Sequence, residues 1–208
     1  MADVLFIKAN DRSADQSVTV KMYETFLKTY KEANPNDQIT ELDLFKEELP
    51  YYGNTAIMGL FKQGQGLAQT PEEKKMAELV GRYLDQFLAA DKVVMAFPMW
   101  NFTVPAPMIT YISYLAQAGK TFKYTAEGPV GLVGDKKIAL LSARGGIYSV
   151  APASSAEMAM NYVKNILNWW GIQNPVEIII EGHNQFPEKS AQIIADGLEA
   201  TTKAAAQF

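Results

Sequence analysis

Short, uninterrupted apolar runs alternate along this chain with longer segments of helical periodicity, and this alternation limits the fold more than any other feature. Val4-Leu5-Phe6-Ile7 begins the series, and comparable strands are predicted at 92–97, 137–141 and 176–180. Such runs are typical of strands buried on both faces of a parallel sheet. The segment 39–44 alternates apolar and polar residues, as an edge or second strand does, and brings the number of predicted strands to five.

Amphipathic helices are predicted between and after these strands, at about 17–33, 70–88, 105–116, 155–170 and 187–205. The helix near residue 70 has the clearest start, because Thr70 can cap it, Pro71 suits its first position and two acids follow. Parallel strands need helical crossovers. The sequence therefore predicts one α/β domain over 1–208, with a hairpin near 120–131 and a long connection over 45–69 that has no obvious sheet element.

Composition excludes several chemistries. The chain has no cysteine and one histidine, His183, so we expect no metal site and no thiol chemistry. A net charge of −4 without basic runs argues against nucleic-acid binding. The N-terminal residues lack the pattern of a signal peptide and no stretch has membrane-spanning length, so we expect a cytoplasmic protein without membrane contact.

The loop after the first strand leads into a helix that opens at Gln16-Ser17-Val18-Thr19. Hydroxyl groups and unpaired backbone N–H groups at a helix N-terminus suit a phosphate. Ser17 acting only as a helix cap explains these residues equally well. No glycine-rich dinucleotide or triphosphate motif is present.

The loop after the third strand, 97–107, holds three prolines, two large aromatic residues and the amide of Asn101. A planar heteroaromatic ligand would explain this loop, because apolar side chains contact a ring while a few polar groups orient its edge. Burial of the loop at a subunit interface is the alternative.

Paired glycines, Gly145 and Gly146, follow the fourth strand and permit a close approach that side chains would block. An ordinary Gly-Gly turn explains the pair as well. Ligands of open parallel sheets bind beyond the carboxyl ends of the strands, where all three loops meet. A flat, phosphate-bearing cofactor fits the three loops together. His183 follows the last strand, but a loop histidine without a partner is more often structural or solvent-facing.

With these loops in view, the sequence resembles the FMN-dependent NADH-azoreductases of the flavodoxin-like quinone reductase superfamily over nearly its whole length. The specific segments are Pro98–Phe102 followed by Pro105, and Ser142–Gly146; the supporting ones are Thr121–Tyr124 before Gly128-Pro129, and Gly171-Ile172. The resemblance implies a flavodoxin-like three-layer sandwich with strand order 2-1-3-4-5, and a homodimer with active sites at its interface. Some relatives carry extra serines where this chain has Asn10, Asp11 and Asp15, so these acids are expected to point away from a phosphate.

The resemblance also implies which residues hold FMN. The phosphate would lie at Ser17, Val18 and Thr19; the isoalloxazine ring would lie along Met99, Trp100, Asn101 and Phe102; and its other edge would be bordered by Ser142, Ala143, Arg144, Gly145 and Gly146. We expect Phe102, Tyr124 and Trp169 to form the aromatic walls of an acceptor pocket.

The implied activity is the reduction of azo compounds and quinones by NADH or NADPH, in a ping-pong cycle of two-electron hydride transfer. Flavin N5 would carry the hydride, so no protein side chain is expected to be catalytic. The N–H groups of Gly145 and Gly146 are expected to stabilise charge at the N1 and O2 edge. Two other functions remain open: a flavodoxin-like electron carrier with a protein partner, and a flavin-free regulatory α/β protein.

Overall fold

A five-stranded parallel sheet forms the middle layer of the computed structural model, which describes residues 1–208. Its strands are β1 (Asp3–Lys8), β2 (Gln38–Asp43), β3 (Lys92–Ala96), β6 (Lys137–Arg144) and β7 (Val176–Glu181), in the order β2-β1-β3-β6-β7. The intervening β4 (Phe122–Thr125) and β5 (Gly128–Gly131) pair with each other as the predicted antiparallel hairpin. The predicted order 2-1-3-4-5 of the large sheet is therefore confirmed.

Six helices cover both faces of the sheet: α1 (Val18–Ala33), α2 (Asn54–Gln65), α3 (Pro71–Ala89), α4 (Ala106–Leu115), α5 (Met160–Trp169) and α6 (Ser190–Gln207). Successive side chains of a strand point to opposite faces. Val4 and Phe6 accordingly pack in the core beneath α1 and α6, while Leu5 and Ile7 pack in the core beneath the other four helices. All four side chains are at most 2% exposed, which explains the uninterrupted apolar run.

Three predicted boundaries were wrong. One is the start of α6, which is Ser190 and not about Pro187, because 187–189 form a 3-10 turn. Strand β6 continues to Arg144 instead of ending at Leu141, because β7 provides ladder partners as far as the pair Arg144 and Glu181. Helix α5 begins at Met160 and not near 155, after a 3-10 turn at 153–156. The carboxylate of Glu157 fixes this start by accepting the backbone N–H groups of the next residues, Ala159 at 3.1 Å, Met160 at 2.8 Å and Asn161 at 3.0 Å.

The connection over 45–69 contains α2, a helix that the sequence reasoning missed. Gly59 lets α2 lie directly on α3, since a Cβ there would be 2.4 Å from the carbonyl oxygen of Glu73. Lys62 Nζ also contacts the Glu73 carboxylate at 2.7 Å. The predicted start of α3 is confirmed: Thr70 and Glu73 form a reciprocal capping box, with Pro71 as the first helical residue. None of the helices is both long enough and apolar enough to cross a membrane.

Candidate functional site

Two cavities lie at the carboxyl edge of the large sheet. The first cavity, of about 450 Å³, is walled by the start of α1, the β3–α4 loop, the end of β6 and the β7–α6 loop. The second cavity, of about 540 Å³, lies between the β3–α4 loop and the loops after β6 and β7. Met99, Gly145 and Asn184 line both cavities, so the two form one continuous groove.

The start of α1 contributes unpaired backbone donors to the first cavity. Ser17 caps the helix: its Oγ accepts the Val20 N–H at 3.3 Å and the side-chain amide of buried Asn10 at 2.9 Å. The N–H groups of Ser17, Val18 and Thr19 have no acceptor within the chain, and these residues line the cavity. The two interpretations of Ser17 are therefore compatible, because the side chain caps while the backbone donors stay free.

Charged side chains of both signs surround this helix start. Arg12, Lys21 and Asp15 all line the first cavity. The hydrogen bond from Ser13, with the nearby charges of Lys21 and Arg12, lowers the pKa of Asp15. Asp15 therefore lines the same cavity as the helix start, and its pointing away from a phosphate stays a prediction. Two cations against one carboxylate still favour an anion there.

The β3–α4 loop turns sharply between Trp100 and Thr103, whose backbone groups exchange hydrogen bonds of 2.9 and 3.1 Å. The two central residues of this turn have positive φ, +48° at Asn101 and +69° at Phe102. A bulky residue adopts positive φ rarely, and strained backbone of this kind concentrates at functional sites. The N–H groups of Asn101 and Phe102 have no acceptor within the chain, and both residues line the second cavity. Trp100 lines the first cavity and packs edge-on against Phe45, with ring centroids 6.0 Å apart.

The end of β6 differs from the predicted loop. Ser142, Ala143 and Arg144 belong to the strand, and Ser142 is 2% exposed and lines neither cavity. Ala143 and Arg144 line the first cavity, and Gly146 lines the second. Glycine at 145 permits a close approach, because a Cβ there would lie 2.5 Å from the Asn184 side-chain nitrogen. The N–H groups of Gly145 and Gly146 also have no acceptor within the chain.

Arg144 forms ion pairs with two carboxylates. Its guanidinium is 4% exposed, and it contacts Glu181 at 2.8 Å and Glu157 at 3.2 Å. Glu181 also accepts the Tyr148 N–H at 2.9 Å and the Ser149 hydroxyl. Burial alone would raise the pKa of Glu181, but these hydrogen bonds and the Arg144 charge outweigh it and lower that pKa. This charge cluster fixes the β6–α5 loop that carries Gly145 and Gly146.

The three predicted aromatic walls are not brought together within one chain. Phe102 lines the second cavity, is 47% exposed and packs edge-on against Tyr148, at a centroid distance of 6.3 Å. Tyr124 and Trp169 line neither cavity; both are exposed and pack against Phe122 beside the hairpin. Sequence reasoning missed Tyr148, which lies two residues after Gly146 in the same loop and could have been found from that position.

The β7–α6 loop forms the wall of the groove next to the loop after β6. Sequence reasoning considered only His183 of this loop and missed Asn184 and Gln185. The backbone N–H groups of Asn184 and Gln185 both donate to the Gly145 carbonyl at 3.0 Å. Gln185 Oε1 in turn accepts the Ile147 N–H at 2.9 Å. His183 and Asn184 line the first cavity, and Asn184 and Gln185 line the second. The loops after β6 and β7 therefore form one hydrogen-bonded wall.

A family model named Flavodoxin_2, described as a flavodoxin-like fold, matches residues 2–205. The chain belongs to the Flavodoxin_2 family. In this Flavodoxin_2 protein the groove spans the point between β1 and β3 where the strand order reverses, the usual ligand position in open α/β sheets.

Known proteins resemble this Flavodoxin_2 chain over its full length. A Bacillus cereus protein named FMN-dependent NADH:quinone oxidoreductase 1 is 63% identical over 208 residues, which cover 100% of both chains. The crystal structure of an azoreductase from Bacillus anthracis str. Sterne matches with a TM-score of 0.98 and 58% identity, again over 100% of both chains. An FMN-dependent NADH-azoreductase from Bacillus anthracis str. Ames Ancestor, solved in complex with FMN, has a TM-score of 0.91 and 28% identity, covering 100% of this chain and 99% of that one.

Proposed function

We propose that this chain is an FMN-dependent oxidoreductase that passes electrons from NADH or NADPH to quinones and azo compounds, with residues 1–208 forming one FMN-binding unit. The observation that carries the proposal is the continuous groove, which presents unpaired backbone N–H groups from three separate loops. The names of the relatives that match over their full length point to the same activity.

The groove fits the shape and charge of FMN. At the start of α1, the free N–H groups of Ser17, Val18 and Thr19 suit a phosphate, and the helix end adds partial positive charge. Arg12 and Lys21 add two full positive charges at the same cavity. We assign this end of the groove to the phosphate of the cofactor.

The other end of the groove suits a planar ring. The ring and its edges would span the junction of the two cavities. Of the residues assigned to them, Met99 and Gly145 line both cavities, Trp100, Ala143 and Arg144 line the first, and Asn101, Phe102 and Gly146 line the second. When bound, FMN supplies the hydride-transfer chemistry that no amino-acid side chain can provide. The free N–H groups of Gly145 and Gly146 would stabilise negative charge at the ring edge, so no side chain needs to donate or accept a proton.

The open second cavity favours an enzyme over an electron carrier. This cavity of about 540 Å³ is open beside Phe102 and Tyr148, and there a small aromatic acceptor would stack on the ring of the cofactor. A carrier that hands electrons to a protein partner needs no such cavity. Initial rates with NADH and NADPH against a panel of quinones and azo dyes test the proposal. Parallel double-reciprocal lines are expected, because donor and acceptor would use the same place in turn; intersecting lines would contradict the alternating use of one site.

The proposal includes a homodimer with both active sites at its interface. Ile57 and Phe61 on α2 are 50% and 55% exposed, and Tyr124 and Trp169 expose apolar rings at the hairpin side. A second copy that covers these residues would bring aromatic side chains towards the groove and would complete the three aromatic walls. Sedimentation equilibrium should give twice the chain mass, and Phe61→Glu should shift it towards the monomer. A monomeric wild-type protein would contradict this part of the proposal.

We also propose that the protein works in the cytoplasm, since the pyridine nucleotides that would serve it as donors are made and used there. Fractionation of the cells that produce it, followed by immunoblotting, tests this. Recovery in the membrane or secreted fraction would contradict it.

A further inference from the structure

His183, the only histidine of the chain, has two ring nitrogens in different surroundings. Nδ1 is buried and has no hydrogen-bond partner. Nε2 also makes no hydrogen bond within the chain, but unlike Nδ1 it is accessible to solvent. Because His183 lines the first cavity and its Nδ1 is buried, Nε2 is the ring nitrogen available to a ligand.

The surroundings of Nδ1 determine where the proton lies. A neutral imidazole carries one N–H and one lone pair. A buried N–H without an acceptor is among the rarest of unsatisfied groups, whereas acceptors are under-satisfied somewhat more often. The proton is therefore better placed on Nε2. Burial also lowers the pKa of His183, which favours the neutral ring in the apoprotein.

The backbone holds this donor in a fixed position. Gly182 adopts φ +84° and so turns the chain directly after β7. Phe186 closes the turn by donating its N–H to the Gly182 carbonyl at 2.9 Å, and the Asn184 N–H is bound to Gly145 at 3.0 Å. A backbone fixed in this way limits the positions that the His183 ring can take, so less conformational entropy is lost when a ligand binds.

The first cavity already has the features of an anion site. The free N–H groups at the start of α1 and the cations Arg12 and Lys21 line it together with His183. We propose that His183 is a further ligand of FMN, and that it donates its Nε2–H to an oxygen of the cofactor's phosphate group. This assignment rests on the proposed function, and it adds a side chain from the far side of the sheet to the residues at the start of α1.

The single histidine makes a direct test possible. Nitrogen-15 labelling of histidine gives signals from one imidazole only, and their coupling pattern distinguishes a proton on Nε2 from one on Nδ1. The expected result is the Nε2–H form in the apoprotein, with the Nε2 signal shifting when FMN is added and much less when riboflavin, which lacks the phosphate, is added. An Nδ1–H form, or equal shifts with both flavins, would overturn the assignment.

Variants provide a second, independent readout. His183→Ala should weaken FMN binding, measured by quenching of flavin fluorescence, by roughly 10- to 100-fold, the range for a hydrogen bond to a charged group. Riboflavin binding should stay within about twofold, because the hydrogen bond removed is one that only FMN makes. His183→Gln, which keeps a side-chain N–H donor, should recover part of the loss for FMN.

Equal loss of both flavins in His183→Ala, or no loss of FMN, would contradict the phosphate contact. Thermal unfolding of the apoproteins shows whether the variants keep the fold. Wild-type protein that does not bind FMN at all would refute the proposed function itself. Wild-type protein that binds FMN while the His183 signals stay unchanged would refute only this inference.

Discussion

Arg144 donates from Nε to Glu181 at 2.8 Å, across the ends of β6 and β7, although the two residues are 37 positions apart in the chain. The same guanidinium reaches Glu157, which fixes the start of α5. Gly145 and Gly146 lie directly after Arg144, at the start of the β6–α5 loop that also carries Glu157. The shape of the groove therefore depends on a buried charge cluster whose two carboxylates line neither cavity.

Replacing Glu181 by Gln should change how stability depends on pH. Because the pKa of Glu181 in the folded protein is below its ordinary value of 4.5, its carboxylate stabilises the fold above that pH. This contribution is lost as the pH falls through the folded-state pKa. The unfolding free energy of wild type, from urea titrations between about pH 3 and 6, should therefore fall more steeply than that of Glu181→Gln. Parallel curves would contradict a role for this carboxylate.

Two buried tyrosines of α4, Tyr111 and Tyr114, differ in whether the hydroxyl group is hydrogen-bonded. The Tyr111 hydroxyl is buried without a partner, whereas the Tyr114 hydroxyl donates to the Pro50 carbonyl. Tyr111→Phe should leave the unfolding free energy unchanged or raise it by up to about 1 kcal/mol, and Tyr114→Phe should lower it by about 1 kcal/mol. Denaturant titrations measure both values. Equal destabilisation by the two variants would show that Tyr111 has a partner in solution.

Variants of Asn101 separate its side chain from its backbone. Glycine accepts the φ of +48° at this position, whereas alanine is strained there by about 1 kcal/mol. If the side-chain amide orients the ring edge, Asn101→Gly and Asn101→Ala should both weaken FMN binding, and only Asn101→Ala should also lose stability. An Asn101→Ala variant with full FMN affinity and full turnover would rule out the side-chain role.

Gly131 should tolerate no side chain. A Cβ there would lie 2.1 Å from Gly171 N, because the hairpin sits directly on the end of α5. Gly131→Ala should lower the unfolding free energy by roughly 2–4 kcal/mol, the cost of a forced backbone shift. Gly64 in α2 has open space around it. Gly64→Ala should therefore raise the unfolding free energy by about 0.5–1 kcal/mol, because alanine favours the helix more than glycine does. Similar values for both would contradict the close packing of the hairpin.

Local pattern was sufficient to predict the sheet, but it could not place every boundary. The buried strands are mostly apolar, so their positions could be predicted from the sequence pattern, whereas their order was implied by the family resemblance. The end of β6 and the start of α5 depend on Glu181 and Glu157, whose partners are distant in sequence or lie in the backbone. Helix α2 was missed because its glycines resemble breakers, whereas Gly59 is the residue that permits packing on α3.

The groove could be predicted in outline because three of its loops carry a signal in their local sequence. The helix start at Ser17, the turn at Asn101 and the glycine pair are local signals, and the structure places all three at one edge. Asn184 and Gln185 carry no local signal, because they reach the groove only through hydrogen bonds to the Gly145 carbonyl. Tyr124 and Trp169 line neither cavity, and their place in the acceptor pocket depends on the homodimer that we propose.

Anaerobic absorption spectroscopy of the purified protein tests the central claim most directly. The protein should carry the visible absorption band of oxidised flavin, one equivalent of NADH should bleach it, and a quinone added afterwards should restore it. Protein that cannot be loaded with FMN, or a flavin band that NADH leaves unchanged, would contradict the assignment of this chain as an FMN-dependent oxidoreductase.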